Sequence, residues 1–191
     1  MELDFDTIFM TGSQGSGKGT QAERLAAKLD FFHWDMGVIL RDILKENGPL
    51  AEKVAPINKG IFLTDEVIIE VSEDRLKKIP PTKGIIFDGL PRRPVQARFL
   101  IDFLKSQQRK KPLTLFIDVP RAVVVERMML RAKTEGRADD TPEAIDKRLQ
   151  FFEEVIKPLM EYLKEETRFI TLDGTPSIDI VEQSINTALG I

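Results

Sequence analysis

The chain contains no cysteine among its 191 residues. That excludes disulfides and thiolate zinc sites, and it suits a reducing compartment. There is one histidine, His33. A lone imidazole supplies neither a relay nor a multi-histidine metal site, so His33 reads as structural. Trp34, the single tryptophan, reads as packing or as one edge of a base pocket. No apolar run approaches membrane-spanning length. The N-terminal stretch Met1-Glu2-Leu3-Asp4-Phe5-Asp6 is acidic and lacks a signal peptide's basic start and apolar core. The net charge of −3 marks no bulk attraction to nucleic acid or anionic membranes. The expectation is a cytoplasmic protein with neither kind of partner.

What the chain does have is a 42% hydrophobic content, enough for one domain with inserted flaps. Short apolar runs alternate with helical patterns, which predicts parallel strands joined by crossover helices. Strands are expected at Thr7–Met10, Gly84–Phe87, Leu113–Asp118 and Phe169–Leu172, with Phe31–Trp34 a weaker fifth. Roughly fifty residues before Gly84 carry helical spacing and no strand. Within them, Ile39, Leu40, Ile43 and Leu44 make one helical face, and Asn47-Gly48-Pro49 stops it. Leu50, Val54 and Ile57 make a short second helix closed by Gly60, and Thr64-Asp65-Glu66 opens a third that runs to about Lys78. A helix over Val123 to Leu130 follows Pro120, a mobile loop is expected over Lys133–Thr141, and Thr141-Pro142-Glu143 opens a long helix kinked near Pro158.

The segment richest in chemical information is Gly12-Ser13-Gln14-Gly15-Ser16-Gly17-Lys18-Gly19-Thr20. It sits between an apolar run and a helical face made by Ala22, Leu25, Ala26 and Leu29, the strand–loop–helix setting of a phosphate-binding P-loop. Glycines let the backbone turn tightly and aim amide N–H groups inward. Those amides and the positive helix end bind polyphosphate, and Lys18 is a cation that can follow a transferring phosphoryl group. Gly19 occupies the place where many P-loops carry a hydroxyl ligand for Mg²⁺, with Thr20 one later. Mg²⁺ keeps several waters, so phosphate oxygens, water and a distant carboxylate can hold it.

Asp88-Gly89-Leu90-Pro91-Arg92 follows the strand at Gly84–Phe87. An Asp at a strand end can hold Mg²⁺-bound water, and Arg92 can pair bidentately with phosphate. Arg127 and Arg131 share a helix face, and Arg137 and Arg148 follow. Converging guanidiniums match the charge that spreads over a transferring phosphoryl group, although each alone is compatible with a surface salt bridge.

These motifs together resemble the nucleoside monophosphate kinases, most nearly the adenylate kinase form, over almost the whole chain and in the same order. The P-loop with Gln21, Asp88–Arg92 with Gln96-Ala97, and Gly136-Arg137-Ala138-Asp139-Asp140 with Arg148-Leu149 carry the likeness. The resemblance implies an α/β P-loop three-layer sandwich on a five-stranded parallel sheet. It implies an inserted monophosphate-binding flap at 35–64, a short lid at 132–141, and a monomer. It also implies reversible, Mg²⁺-dependent, in-line transfer of the γ-phosphoryl of ATP to AMP, giving two ADP. By position, Gly15, Ser16, Gly17, Lys18, Gly19 and Thr20 would hold ATP, with Lys18 on the transferring phosphates and Arg127 packed on the ATP base. Met36, Arg41, Gly89, Arg92 and Gln96 would hold the monophosphate, with Arg41 and Arg92 on its phosphate and Gln96 reading its base. Arg131, Arg137 and Arg148 would act with Lys18 and Arg92 on the transition state. Asp139 and Asp140 would bind in the closed lid, and Asp88 would orient water around Mg²⁺. The short, cysteine-free lid excludes the zinc-holding form.

At the start of the flap, Met36 and Val38 stand where the family usually carries Thr and Asp. Loss of the hydroxyl removes a possible hydrogen bond to the base, while Met offers soft apolar packing. This keeps open a UMP/CMP or broad-specificity kinase. A nucleotide-binding switch of weak activity is a third reading, and the number of candidate cations argues against it.

Overall fold

The computed structural model describes residues 3–59, 61, 63–135 and 141–191. Five strands form one all-parallel sheet: β1 (Thr7–Gly12), β2 (Phe32–Asp35), β3 (Ile85–Asp88), β4 (Leu113–Asp118) and β5 (Arg168–Asp173), in the order β2-β3-β1-β4-β5. The weakly marked segment at Phe31–Trp34 is therefore a true edge strand, paired with β3 through His33↔Ile86 and Trp34↔Phe87. Because side chains alternate across a strand, each strand feeds both faces of the sheet. Ile8, Met10 and Ile86 face α1 (Lys18–Leu29), α6 (Arg121–Glu135), α7 (Pro142–Phe151) and α9 (Ile178–Leu189). Phe9, Ile85 and Phe87 face α2 (Met36–Lys45), α3 (Pro49–Val54), α4 (Asp65–Leu76), α5 (Pro94–Ser106) and α8 (Lys157–Glu166). The two cores make the expected three layers.

On the second face Trp34 is fully buried, with its ring 5.2 Å from that of Phe87. This makes it core packing and removes it from the candidate base pocket. The sequence reading contained no helix at α5 or α9, yet Ala97, Leu100, Ile101 and Leu104 of α5 are buried at helical spacing behind Pro94 at its first turn.

Three local expectations are corrected. The short helix over Leu50 to Ile57 ends at Val54 and continues as a 3₁₀ turn, Ala55–Lys59. Pro56 has no N–H to continue the α pattern. The loop expected from Lys133 does not start there, since α6 runs to Glu135 and the Thr134 hydroxyl donates to the Leu130 carbonyl at 3.1 Å. The irregularity expected at Pro158 sits one turn earlier, as a π-helical turn at Phe152–Ile156 between α7 and α8. The wider pairing there, Lys157 N–H donating to the Phe152 carbonyl, comes directly before the residue that has no N–H of its own. Gly60, Gly136, Arg137, Ala138, Asp139 and Asp140 lie outside the described residues.

Candidate active site

The register of β1 and β3 sets Met10 beside Asp88. The chain therefore leaves β1 into the glycine-rich loop directly next to the turn that leaves β3. Gly17 caps α1 with φ 89°, a left-handed conformation that glycine reaches without a Cβ penalty. The first turn of α1, with Lys18 at its start, thus opens toward the carboxyl edge of the sheet, where ligands bind in open α/β folds. A methyl group at Gly19 would come 3.1 Å from Asp88 Oδ2. The residue in the usual hydroxyl position is thus the one that lets the Asp88 carboxylate approach the loop.

Lys18 is the electrostatic centre. Desolvation holds its pKa below the usual lysine value, opposed by the nearby carboxylates of Asp88 and Asp35 and reinforced by the guanidiniums of Arg92 and Arg131. Four residues expected to act on the phosphates or the metal, Lys18, Asp88, Arg92 and Arg131, thus share one electrostatic neighbourhood. Asp35, to which the sequence reading gave no role, joins them. Its carboxylate also caps α2, accepting from Val38 N at 3.0 Å.

Arg92 is exposed at the mouth of the cleft, yet enough protein surrounds it for desolvation to lower its pKa against the pull of Asp88 and Asp35. Its Nε donates to the Gly89 carbonyl at 2.8 Å. Its backbone N–H donates to Gln96 Oε1, also at 2.8 Å, and Gln96 Nε2 donates to Asp65 Oδ1 at 2.7 Å. Gln96 itself is buried. Met36 is buried at the start of α2, and its Cβ lies 3.7 Å from where a methyl at Gly89 would sit. Arg41 is exposed one turn along α2, its guanidinium 3.3 Å from the place of a methyl at Gly37. Met36, Gly89, Arg92 and Gln96 form one contiguous wall on the β3 side.

A cavity of about 430 Å³ lies between the glycine-rich loop, α6 and the start of α9. Gly15, Ser16, Gly17 and Thr20 line it together with Arg127 and Arg131. Its far wall escaped the sequence reading. Gly174, Pro176 and Ser177 of the loop after β5 form that wall with Ile178, the first residue of α9. Arg127 pins this loop by donating to the carbonyls of Gly174 at 2.8 Å and Thr175 at 2.9 Å. Gln21 holds it from α1, donating to the Ile178 carbonyl at 2.8 Å. The signal available in the sequence was positional: Asp173-Gly174-Thr175-Pro176 leaves a parallel strand at the ligand-binding edge. Arg148 is half-buried on α7, which packs on α6. His33 lies on the edge strand β2, in register with Ile86 of β3.

The donor set suits Mg²⁺. Asp88 offers a hard carboxylate oxygen beside a polyphosphate loop, and Mg²⁺ needs only one or two carboxylates when phosphates and water complete its shell. Among the described residues no group of three or more His, Cys, Asp or Glu could hold a metal ion. No described helix is long and apolar enough to cross a membrane.

Residues 10–168 match the family model described as Adenylate kinase. The chain is 36% identical to an adenylate kinase of Thermus thermophilus, with all of both chains covered. It is 35% identical to one of Xanthomonas euvesicatoria, over 96% of this chain and 98% of the relative. It is 36% identical to one of a Cyanothece species, over 92% and 91% respectively.

Proposed function

The chain belongs to the adenylate kinase family, and from that membership we propose how its own residues carry out the reversible transfer of the γ-phosphoryl of ATP to AMP. The enzyme is a phosphotransferase producing two ADP. The UMP/CMP-kinase and switch readings are not favoured by a family and relatives that are all adenylate kinases.

The observation that carries the assignment of roles is the shared field of Lys18, Asp88, Arg92 and Arg131 at the mouth of the glycine-rich loop. ATP lies with its base in the cavity bounded by Arg127 and the 174–178 loop, and with its phosphates over Gly15–Thr20. AMP enters on the opposite side, its phosphate on Arg92 and Arg41 and its base toward Met36 and Gln96. Arg131 and Arg148, with Arg137, neutralise charge that grows on the equatorial oxygens. Asp88 would hold water of the Mg²⁺ shell, and the ion would supply charge neutralisation of the phosphates when bound. No general base is required, because the acceptor phosphate, with a second pKa of about 6, is already mostly ionised at pH 7. Alignment and electrostatics supply the rate, and closure of the 35–64 flap and the 132–141 lid excludes water that would otherwise take the phosphoryl group. The enzyme acts as a monomer in the cytoplasm, a compartment suited to a chain without cysteine.

The test is a coupled assay with ATP–Mg²⁺ against AMP, UMP, CMP and GMP in parallel. Preference for AMP is expected. Preference for UMP or CMP would move the acceptor to the pyrimidines, and ATP binding without turnover of any acceptor would return the chain to the switch reading.

A further inference from the structure

Gln96 is held from two sides in a way that fixes which end of its side-chain amide is oxygen. The Arg92 backbone N–H can only donate, and it lies 2.8 Å from one end. The Asp65 carboxylate accepts, and it lies 2.7 Å from the other. The first must therefore meet Oε1 and the second Nε2. Rotating the amide by half a turn would set N–H against N–H at Arg92 and oxygen against a carboxylate at Asp65. Both contacts would be repulsive in a group only 6% exposed. Arg93 keeps the carboxylate in place, its guanidinium 3.6 Å from Asp65 Oδ2.

A carboxamide has two N–H bonds and two lone pairs. After these two bonds, one N–H and one lone pair remain for a ligand, with their order fixed. A purine carrying an amino group at C6 and an unprotonated N1 meets that pair donor to acceptor and acceptor to donor. A purine carrying a carbonyl at C6 and a protonated N1 presents the reverse. It could pair only after the amide had turned.

We infer that Asp65 is a specificity-determining residue, which locks the Gln96 amide so that the monophosphate site takes 6-amino purines and rejects 6-oxo purines. Asp65 acts through Gln96, so it is a positioning residue. The inference rests on the reading that Gln96 meets the acceptor base. It supplies base discrimination in a site where Met36 replaces the family's usual hydroxyl. Much of the selectivity comes from repulsion against the wrong base rather than from added attraction to the right one.

The test compares AMP with inosine 5′-monophosphate, which differs at C6 and N1 and carries no 2-amino group. For the wild-type enzyme, kcat/KM for the inosine compound is expected about 100-fold or more below that for AMP, as for sites whose polar groups would be left mispaired. In D65N, position 65 can face either end of the Gln96 amide. The ratio is expected to fall about tenfold or more, while KM for ATP stays within about twofold. D65A should fall in the same direction. Q96A separates the two levels of the argument. If Q96A collapses the ratio and D65N leaves it unchanged, Gln96 reads the base but the lock is refuted. If Q96A leaves the ratio unchanged, the assignment of Gln96 fails and the lock with it. If D65N lowers both substrates equally, Asp65 is merely structural and the inference is overturned. Wild-type use of the inosine compound within about threefold of AMP overturns it without recourse to any variant.

Discussion

Arg92 offers the sharpest test of the proposed chemistry, because the same side chain is expected to help the reaction and to burden the fold. Its Nε is tied to the Gly89 carbonyl at 2.8 Å, which leaves the outer edge of the guanidinium for the phosphate of the monophosphate. Removing a preorganised donor aimed at developing charge costs about 2–4 kcal/mol of transition-state stabilisation. At about 1.36 kcal/mol per decade, Arg92→Ala should lower kcat/KM for AMP by roughly 30- to 900-fold. Arg92→Lys keeps the charge but loses the fork, so it should fall between the two. The stability effect has the opposite sign. Desolvation disfavours the charged Arg92, with Asp88 and Asp35 offsetting only part of this. Arg92→Ala should therefore leave Tm unchanged or raised, the pattern of a site that trades stability for function. Initial rates at varied AMP with saturating ATP–Mg²⁺, alongside calorimetry of the free enzyme, read both effects. An unchanged kcat/KM would remove Arg92 from the site. A Tm several degrees lower would show that the guanidinium is a structural cross-link and refute the electrostatic argument.

Other consequences follow from the same physics. Lys18 has its pKa lowered, chiefly by desolvation. Below that lowered value its charge costs the folded state a constant amount. The cost is relieved as pH rises from the folded value toward the unfolded 10.5, where the unfolded chain binds more protons than the folded one. Lys18→Met should therefore be inactive and more stable than the wild type at pH 7, with the gap in Tm narrowing as pH approaches 10.5; a gap that does not change with pH would refute the assignment. Trp34→Ala removes a fully buried ring from the second core and should cost about 3–5 kcal/mol in urea unfolding. A cost under about 1 kcal/mol would show that the site collapses freely. Thr141 caps α7 by accepting from Ala144 N at 3.2 Å, so Thr141→Ala should cost about 1 kcal/mol, whereas Thr141→Ser should be close to neutral.

Much of this enzyme is legible in its sequence because the physics involved is local. Glycine spacing and the flanking apolar runs identify the phosphate loop, since tight turns, inward amides and a helix start are properties of consecutive residues. Pro120 and Thr141 mark helix starts, and short apolar runs mark strands that the sheet then pairs. The resemblance supplied the remaining roles, since no spacing rule links Lys18 to Arg131. Tertiary structure decided what depends on elements distant in the chain. Burial alone separated Trp34 from the base pocket, because an edge strand reveals its covered face only once α2 and the segments after it pack on it. The 174–178 wall became part of the site through bonds from Arg127 and Gln21, about 47 and 157 residues away in sequence. Asp65 looked like a first-turn acid at a helix start, a role that many residues could fill. Its hydrogen bond to Gln96, 31 residues along the chain, gives it a second one. Local pattern determined which loop binds phosphate. Long-range hydrogen bonds, which sequence periodicity does not encode, decided which segments are held on either side of that loop.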